Sequence, residues 1–344
     1  KEFLTVMHVF VTCATGFIGM HTALGMLEYR HSVRLGVRNA QNLQSLYAQH
    51  GIVVDDFAVG QITDALAIDR ALDGCDAVVH TAALVSLDAN QAKQMYRTNV
   101  VGTRNVIGGA VDKGIESIIH ISSAAALFDP RLKSIDESTP PAPANTAYAR
   151  SKVDSEKYVQ GLIDRGARVA MTYPTGVMGP DDPAMSEGNQ SLLFILNNMH
   201  VITSSGLQII DVRELAAAQV KLLEGKKSGR YLVAGHYVSW REFGELLENV
   251  VGRSIRTLRL PGALLRALGS GVDLIGRIRP LDTPVTREGT EFATRWVVCN
   301  DSKLRKELDM TYRPLRATVA DTIVWLARAG HIDASWANHI EVPA

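Results

Sequence analysis

Short apolar runs alternate with longer stretches of helical pattern through the first half of the chain. The runs are apolar at nearly every position, which is typical of strands buried on both faces of a parallel sheet. The predicted strands lie at 7–11, 32–37, 52–59, 77–82, 117–122 and 167–174. The predicted helices lie at 17–30, 64–73, 91–113 and 148–165. This alternation predicts an α/β fold with a doubly wound, mostly parallel sheet.

Beyond Pro180 the alternation ends in a turn-rich segment, DDPAMSEGNQ. The pattern after it predicts helices near 190–199, at 212–224, after Ser239 and at 315–329, and strands ending at 210 and covering 230–234. We therefore predict a larger domain over 7–180, with 205–235 packing back on it. A smaller C-terminal lobe, 181–204 and 236–344, should fold over the carboxyl edge of the sheet, where such sheets bind ligands.

Two segments stand outside this division. Residues 1–6 precede the first predicted strand and are interpreted as a remnant of an expression tag. The segment 260–280 is amphipathic, with arginines among leucines and isoleucines. A helix packed on the core is the favoured interpretation, and contact with a membrane surface or with an apolar substrate are the alternatives.

Composition narrows the function classes. The 344 residues are 46% hydrophobic and 21% charged, and 36 basic residues balance 36 acidic ones. This balance gives no net field that would favour nucleic acid or an anionic membrane as a partner. Cys13, Cys75 and Cys299 have no metal-ligand spacing, so we expect no metal. No apolar run is long enough to predict a transmembrane segment and no leader pattern is visible, so the expected location is the reducing cytoplasm.

The first predicted strand leads into a glycine loop, VTCATGFIG, and then into a helix. Gly16 would let the backbone approach a pyrophosphate, and Gly19 would let the helix pack closely on the sheet. The free N–H groups at the start of the helix would then hold the anion. The first glycine of the usual three is replaced by Cys13, whose side chain should crowd either the turn or the ligand. Arg30 stands where a glycine that ends the same helix is expected.

The residue that follows the second strand predicts which dinucleotide binds. Arg38 stands about 20 residues past the loop, and no acid occurs between it and Asp55. An acidic side chain there would bind the ribose hydroxyls of NAD, whereas an arginine accommodates the 2′-phosphate of NADP. NADP is therefore preferred, with NAD as the alternative.

A tyrosine and a lysine supply the candidate chemistry. Tyr148 and Lys152 lie four residues apart, on one face of a predicted helix. A nearby ammonium favours the phenolate and brings its pKa toward the working range of a proton donor. Ser123 follows the fifth predicted strand and could donate a hydrogen bond to a substrate carbonyl.

These motifs make the chain resemble the extended short-chain dehydrogenase/reductase family, over residues 7 to about 330. The matching segments are TCATGFIG (12–19), HTAA (80–83), NVVGTRNV (99–106), ISSAAA (121–126), YARSK (148–152) and YPTGVMGP (173–180). Within this family, which belongs to the NAD-dependent epimerase/dehydratase superfamily, the chain looks most like the dihydroflavonol reductase-like branch. The resemblance implies a Rossmann fold and a dinucleotide cofactor.

The resemblance also implies roles for individual residues. Tyr148 would be the acid/base, Lys152 would hold the nicotinamide ribose, Ser123 would orient the carbonyl, and Asn99 would order the helix and a relay water. Substrate would meet Ser86 and Met178. The residues implied to contact the cofactor are Thr12, Thr15, Gly16, Phe17, Ile18, Gly19, Arg38, Gln61, Ile62, Ala82, Ala83, Tyr148, Lys152, Pro174, Thr175 and Val177. Gln61 replaces the family's usual acid at the adenine, where an amide can still hydrogen-bond.

The expected function is the reversible reduction of a small-molecule carbonyl to an alcohol by an NADP(H)-dependent oxidoreductase. The alternatives are a sugar-nucleotide epimerase or dehydratase that retains NAD, a hydroxysteroid-type dehydrogenase and, least favoured, a dinucleotide-sensing protein without catalysis. Family members often dimerise through helices that correspond to 91–113 and 148–165. His80 and His120 are interpreted as packed, hydrogen-bonded histidines. Asp211, Arg213 and Glu214 are interpreted as a structural ion cluster, with substrate contacts as the alternative.

Overall fold

The computed structural model describes residues 6–84, 91–143, 147–276 and 287–340, with the backbone alone in 273–276 and 287–288. Within these ranges the strands are β1 (His8–Thr12), β2 (Ser32–Val37), β3 (Phe57–Val59), β4 (Ala77–His80), β5 (Ser117–Ile121), β6 (Ser134–Ile135), β7 (Val169–Pro174), β8 (Gly176–Met178), β9 (His200–Ile202), β10 (Gly206–Asp211), β11 (Gly229–Val233), β12 (His236–Ser239), β13 (Thr257–Arg259) and β14 (Val298–Cys299).

The helices are α1 (Phe17–Glu28), α2 (Leu43–Ala48), α3 (Ala65–Leu72), α4 (Ala92–Tyr96), α5 (Gly109–Asp112), α6 (Ala147–Ile163), α7 (Glu187–Asn197), α8 (Val212–Glu224), α9 (Trp240–Val251), α10 (Gly262–Gly276), α11 (Arg287–Thr294), α12 (Ser302–Leu308) and α13 (Leu315–Arg328). Two π-helical turns, Arg97–Val101 and Arg104–Gly108, lie between α4 and α5. Short 3₁₀ helices occupy Ala124–Ala126 and Ala334–Trp336.

The central sheet has seven strands in the order β11-β7-β5-β4-β1-β2-β3, and every neighbouring pair is parallel. The apolar sides of α1 and α8 pack on one face of the sheet. The other face is covered by α3, by α6 and by the helical segment that contains the π turn Arg104–Gly108. Helices on both faces bury the strands completely, which explains the apolar runs of β4, β5 and β7. The predicted doubly wound α/β fold is confirmed.

The edge strand β3 is shorter than predicted. The apolar segment 52–59 predicts a strand over its whole length, but only Phe57–Val59 pairs with β2. Val53 is 80% exposed, and the segment before β3 alternates between half-buried and exposed positions. Because an edge strand has one neighbour only, its length is set by how far that neighbour pairs with it and not by its own hydrophobicity.

The predicted helix 91–113 is one continuous helix in which α-helical turns alternate with two π-helical turns. We call this helix the π-helical rod. The backbone angles at the junctions stay in the helical region, so the rod does not break. A π turn shifts the side chains that follow it around the helix axis, and such turns are frequent at functional sites. The first π turn contains Asn99, which is 2% exposed.

A separate, smaller core lies outside the central sheet. It combines apolar side chains of β8, β10, α7, α9 and α13, including Met178, Leu192, Phe243 and Ile323. Ser239 caps α9 through a reciprocal bond with Glu242, as expected for a capping box.

The predicted ion cluster next to this core is confirmed. Asp211 caps α8 through the backbone N–H of Arg213 and accepts from the Arg213 guanidinium at 2.7 Å. The same guanidinium reaches Asp321 of α13 at 2.7 Å, and Arg313 lies 3.5 Å from Glu214. These contacts join α8 to α13 and the segment before it. In the described part of the chain, no helix is long and apolar enough to cross a membrane.

Candidate active site

The predicted site residues converge because parallel strands end at the same edge of a sheet. Thr12 ends β1, Arg38 follows β2, and Ala82 follows β4. Ser123 comes two residues after β5, and Thr175 directly follows β7. Strand order reverses between β1 and β4, which is where doubly wound sheets open a crevice for ligands.

The glycine loop forms a cradle beneath the first turn of α1. A Cβ on Gly19 would lie 2.2 Å from the carbonyl oxygen of Cys13, so only glycine allows α1 to approach the loop this closely. Gly16 is the N-cap of α1 and has no side chain that could bond the first N–H groups of the helix. No acidic residue stands in the first turn. The end of the helix therefore keeps its attraction for an anion.

Cys13 adopts a conformation that suits glycine. Its φ is +53°, in the left-handed region, where an L-residue is disfavoured by roughly 1–2 kcal/mol. Its sulfur lies 3.0 Å from the position of a Cβ on Gly16, so the thiol lies over the loop. Burial raises the pKa of this thiol, and the positive charge of Arg38 partly opposes the rise. The turn thus keeps its shape, and the side chain crowds the cradle.

Cys13→Gly should therefore tighten dinucleotide binding. We expect a dissociation constant about tenfold lower, because the sulfur above Gly16 no longer crowds the position of the phosphates. Isothermal titration with NADP⁺ and NAD⁺ measures this change. Arg30→Gly is the matched control, because Arg30 has φ +67° in the cap of α1 and is exposed. That change should stabilise the fold and leave binding unaltered. An unchanged dissociation constant in Cys13→Gly would show that the thiol does not obstruct the loop.

Tyr148 and Lys152 lie on one face of α6. The Lys152 ammonium is 5.9 Å from the centroid of the Tyr148 ring, and Lys152 is 5% exposed. Burial lowers the pKa of this lysine to about 8. A charge held in a poorly hydrated position acts strongly on its neighbours, so the Lys152 ammonium favours the phenolate of a tyrosine beside it.

Asn99 connects the same helix to the loop after β4. Its side-chain oxygen accepts from the backbone N–H of Leu84 at 2.7 Å, and its amide donates to the Leu84 carbonyl at 2.9 Å. The amide also donates to the Ser151 hydroxyl at 2.9 Å, which in turn donates to the carbonyl of Tyr148 at 2.7 Å. Asn99 therefore joins the loop after β4 to the helix that carries Tyr148.

Ser123 caps the 3₁₀ helix that follows β5. Its hydroxyl oxygen accepts from the backbone N–H of Ala125 at 3.2 Å. That bond uses a lone pair and leaves the hydroxyl proton for another acceptor. The geometry is compatible with donation to a carbonyl oxygen.

The residues predicted to contact the adenosine half lie at the β1–β3 side of the edge. Arg38 and Gln61 are exposed, and Ile62 is half-buried. The Ile62 side chain packs over Gly102, and its carbonyl accepts from Asn105 at 2.9 Å. The loop after β3 is thereby fixed to the π-helical rod.

Around the loops after β1 and β4, Thr12 accepts hydrogen bonds from the backbone N–H groups of Thr81 and Ala82. Thr15 and Ile18 are half-buried and Ala83 is exposed, whereas the buried Phe17 ring packs edge-on against His21.

The residues at the end of β7 and after it differ in how deeply they are buried. Pro174 is buried, and Thr175 donates to the carbonyl of Ala234 at 2.7 Å. Val177 is half-buried, whereas Met178 is 3% exposed and packs in the smaller core. Ser86 lies outside the described residues. The substrate contacts of Ser86 and Met178 remain predictions.

Two contributors, Ser151 and Thr103, were not singled out from sequence. Ser151 accepts the hydrogen bond by which Asn99 is joined to α6. Its position inside the YARSK motif was the sequence feature that could have identified it. Thr103 and His80 form buried hydrogen bonds beside Thr12. The prediction of a hydrogen-bonded His80 is confirmed. For His120 it is wrong, because neither ring nitrogen has a partner among the described residues. That ring packs against His80 instead, at 5.6 Å between centroids.

Similar proteins span nearly the whole chain. A protein of Methylococcus capsulatus named sterol demethylase protein B is 28% identical over 95% of this chain and 100% of its own length. A protein of Synechocystis sp. named after dihydroflavonol 4-reductase is 26% identical over 94% of this chain and 95% of its own. The second likeness agrees with the predicted family and branch.

Structural and family comparisons give the same result. The crystal structure of gox2253 superposes with a TM-score of 0.79 at 28% identity, covering 96% of this chain and 100% of the other. The model of the NAD dependent epimerase/dehydratase family matches residues 9–235, which include the glycine loop, Asn99, Tyr148 and Lys152. The chain therefore belongs to the NAD dependent epimerase/dehydratase family.

Proposed function

We propose that this protein is an NADP(H)-dependent oxidoreductase that reduces a ketone or aldehyde to an alcohol, with Tyr148 as the general acid. The observation that carries the proposal is the buried Lys152 ammonium 5.9 Å from the Tyr148 ring, on a helix that Asn99 and Ser151 join to the loop after β4. The relative named after dihydroflavonol 4-reductase supports a reductase.

The residues present fit a dinucleotide. The uncapped start of α1, which Gly19 allows to pack closely on the loop, suits a pyrophosphate. Arg38 is exposed directly after β2 and would bind a 2′-phosphate. When bound, the reduced nicotinamide supplies the hydride. Pro174, Thr175 and Val177 would flank the nicotinamide and Lys152 would hold its ribose, whereas Ala82 and Ala83 would line the cofactor.

The side chains supply the rest of the chemistry. Ser123 would donate its free hydroxyl proton to the carbonyl oxygen and polarise the carbonyl. Tyr148 would transfer its phenolic proton to that oxygen as negative charge develops there. The Lys152 ammonium would stabilise the phenolate that remains. In the reverse direction the phenolate would take the proton of the alcohol.

Two enzyme alternatives use the same residues. A sugar-nucleotide epimerase or dehydratase would retain tightly bound NAD and would bind a diphosphate sugar in the smaller lobe. A hydroxysteroid-type dehydrogenase is favoured by the relative named sterol demethylase protein B, and by Leu264 and Leu268, which are about half exposed on α10. The cytoplasmic location and a homodimer through α6 and the π-helical rod also belong to this proposal.

Two measurements on the purified protein separate these possibilities. Mass spectrometry of the dinucleotide that copurifies should find NADP, and NADPH oxidation should follow the addition of a ketone or an aldehyde. The panel should contain sterol ketones beside small aldehydes. Tightly retained NAD together with turnover of a nucleotide sugar would reject the proposal in favour of the epimerase.

Arg38→Asp should reverse the preference between the two dinucleotides. The guanidinium would lose its charged hydrogen bonds to the 2′-phosphate, which are worth about 1.5–3 kcal/mol. We therefore expect the ratio of kcat/KM for NADPH to that for NADH to fall about 10- to 100-fold. Arg70→Asp is the control, because Arg70 is exposed near the end of α3, before the amino end of β4. An unchanged ratio would exclude Arg38 from the 2′-phosphate site.

A further inference from the structure

His80 ends β4 and is buried between two hydroxyl groups. Its Nδ1 lies 3.0 Å from the Thr12 hydroxyl, at the end of β1, and its Nε2 lies 3.3 Å from the Thr103 hydroxyl, on the π-helical rod. His80 is 1% exposed. The proposed reaction does not use this ring, yet it touches the first residue of the cofactor loop.

The directions of these hydrogen bonds can be deduced. The Thr103 hydroxyl lies 2.6 Å from the carbonyl oxygen of Asn99, which can only accept, so the single proton of Thr103 points there. Nε2 of His80 must therefore carry a hydrogen and donate to Thr103. The ring is neutral at physiological pH, since burial, together with the charge of Lys152, lowers its pKa to about 3. Nδ1 consequently has no hydrogen and accepts from Thr12.

The Thr12 hydroxyl is then fully used. It donates to His80 and accepts from the backbone N–H groups of Thr81 at 3.0 Å and Ala82 at 3.2 Å. A protonated ring would direct a second N–H at an oxygen whose lone pairs are already engaged. The network therefore requires one tautomer of a neutral histidine.

We propose that His80 is a positioning residue, whose Nδ1 orients Thr12 and the loop after β4, and whose Nε2–H orients the turn that carries Asn99. Through Thr12 it sets the start of the cofactor loop and the amides of 81 and 82. Through Thr103 it sets Asn99, which holds Leu84 and Ser151. The functional consequence rests on the proposed function, since these segments border the predicted nicotinamide site.

His120 is a built-in comparison for this role. It pairs in register with His80 on the neighbouring strand β5, is 3% exposed and stacks on the His80 ring. Its ring nitrogens make no hydrogen bond within the described ranges. The two histidines share burial and location and differ in the network alone.

Two substitutions test the two hydrogen bonds of His80 separately. An asparagine places an acceptor near the position of Nδ1, and a glutamine places a donor near the position of Nε2. His80→Asn should keep the bond from Thr12 and bind NADP⁺ within about threefold of the unaltered protein. His80→Gln should keep only the Thr103 side, and its dissociation constant should rise about tenfold. Isothermal titration measures both.

Amide hydrogen exchange of residues 81–84, measured without dinucleotide, is the second readout. Exchange should accelerate in His80→Gln and stay slow in His80→Asn and in the control His120→Phe. If the glutamine variant does not fold, His80→Phe removes the bond to Thr12 while leaving the Thr12 hydroxyl in place, and it should give the same result, with His120→Phe as its matched control. Equal behaviour of the two His80 variants, or the same change in His120→Phe, would overturn the proposal. Because this exchange needs no turnover, a protein that fails to oxidise NADPH would reject the proposed function and leave this test intact.

Discussion

Tyr148→Phe should lower kcat for carbonyl reduction by about 10²- to 10⁴-fold, the contribution typical of a positioned general acid. The ring remains, so the packing of α6 and its cation contact with Lys152 are preserved. What disappears is the proton that the carbonyl oxygen needs as negative charge develops. We expect the dissociation constant for NADP⁺ to stay within about threefold, since the phosphate loop is untouched.

NADPH oxidation and isothermal titration on the same preparation separate the two effects. Tyr158→Phe is the matched control, because Tyr158 lies further along α6 with the Arg104 guanidinium 5.5 Å from its ring centroid. That variant should retain full turnover. A Tyr148→Phe protein that kept more than a tenth of its kcat would show that another group donates the proton.

The second large effect should be a loss of stability in mild acid. Burial, together with the charge of Lys152, lowers the pKa of His80 to about 3, and burial with the neighbouring His80 and Lys152 places that of His120 well below its usual value. In the unfolded chain both rings titrate near pH 6.5. Above that pH both states are neutral and neither ring costs stability. Below it, the unfolded state binds protons that the native state rejects, so stability falls as the pH falls.

Each such histidine changes the free energy of unfolding by about 1.4 kcal/mol per pH unit below pH 6.5. His80 should therefore remove about 2 kcal/mol between pH 6.5 and pH 5, out of a typical total of about 5–15 kcal/mol, and His120 should add to this loss in the same direction. Urea unfolding followed by circular dichroism at several pH values measures the slope. His120→Phe should reduce that slope. A free energy of unfolding that stays constant from pH 7 to pH 5 would contradict the burial argument.

The fold class could be predicted because its signals are local. Strands that helices cover on both faces must be apolar along their length, and β4, β5 and β7 have that pattern. The start of α8 at Asp211 and that of α9 at Ser239 could be predicted for the same reason, since a cap acts within one turn. The four-residue spacing of Tyr148 and Lys152 likewise places both side chains on one helix face.

Contacts between distant segments could not be predicted from local patterns. The length of β3 depends on how far β2 pairs with it, and the burial of Met178 depends on α7 and α9. The π turn at Asn99 has no signal in the sequence that we can identify, and its bonds go to Leu84 and Ser151. The local sequence allows many partners for each of these contacts, and the packing of the whole fold selects one.

Cys13 and the two histidines show the division most clearly. The sequence by itself determined the glycine loop and showed that Cys13 departs from it. The tertiary structure decided that the turn is kept and that Cys13 adopts φ +53°. The reason is that α1 packs so close to the loop that the loop backbone cannot follow a different course. His80 and His120 occupy equivalent strand ends in the sequence. Only their neighbours, Thr12 and Thr103, distinguish a ring that orients three segments from one that merely packs, because hydrogen-bond partners are set by the fold and not by the residue type.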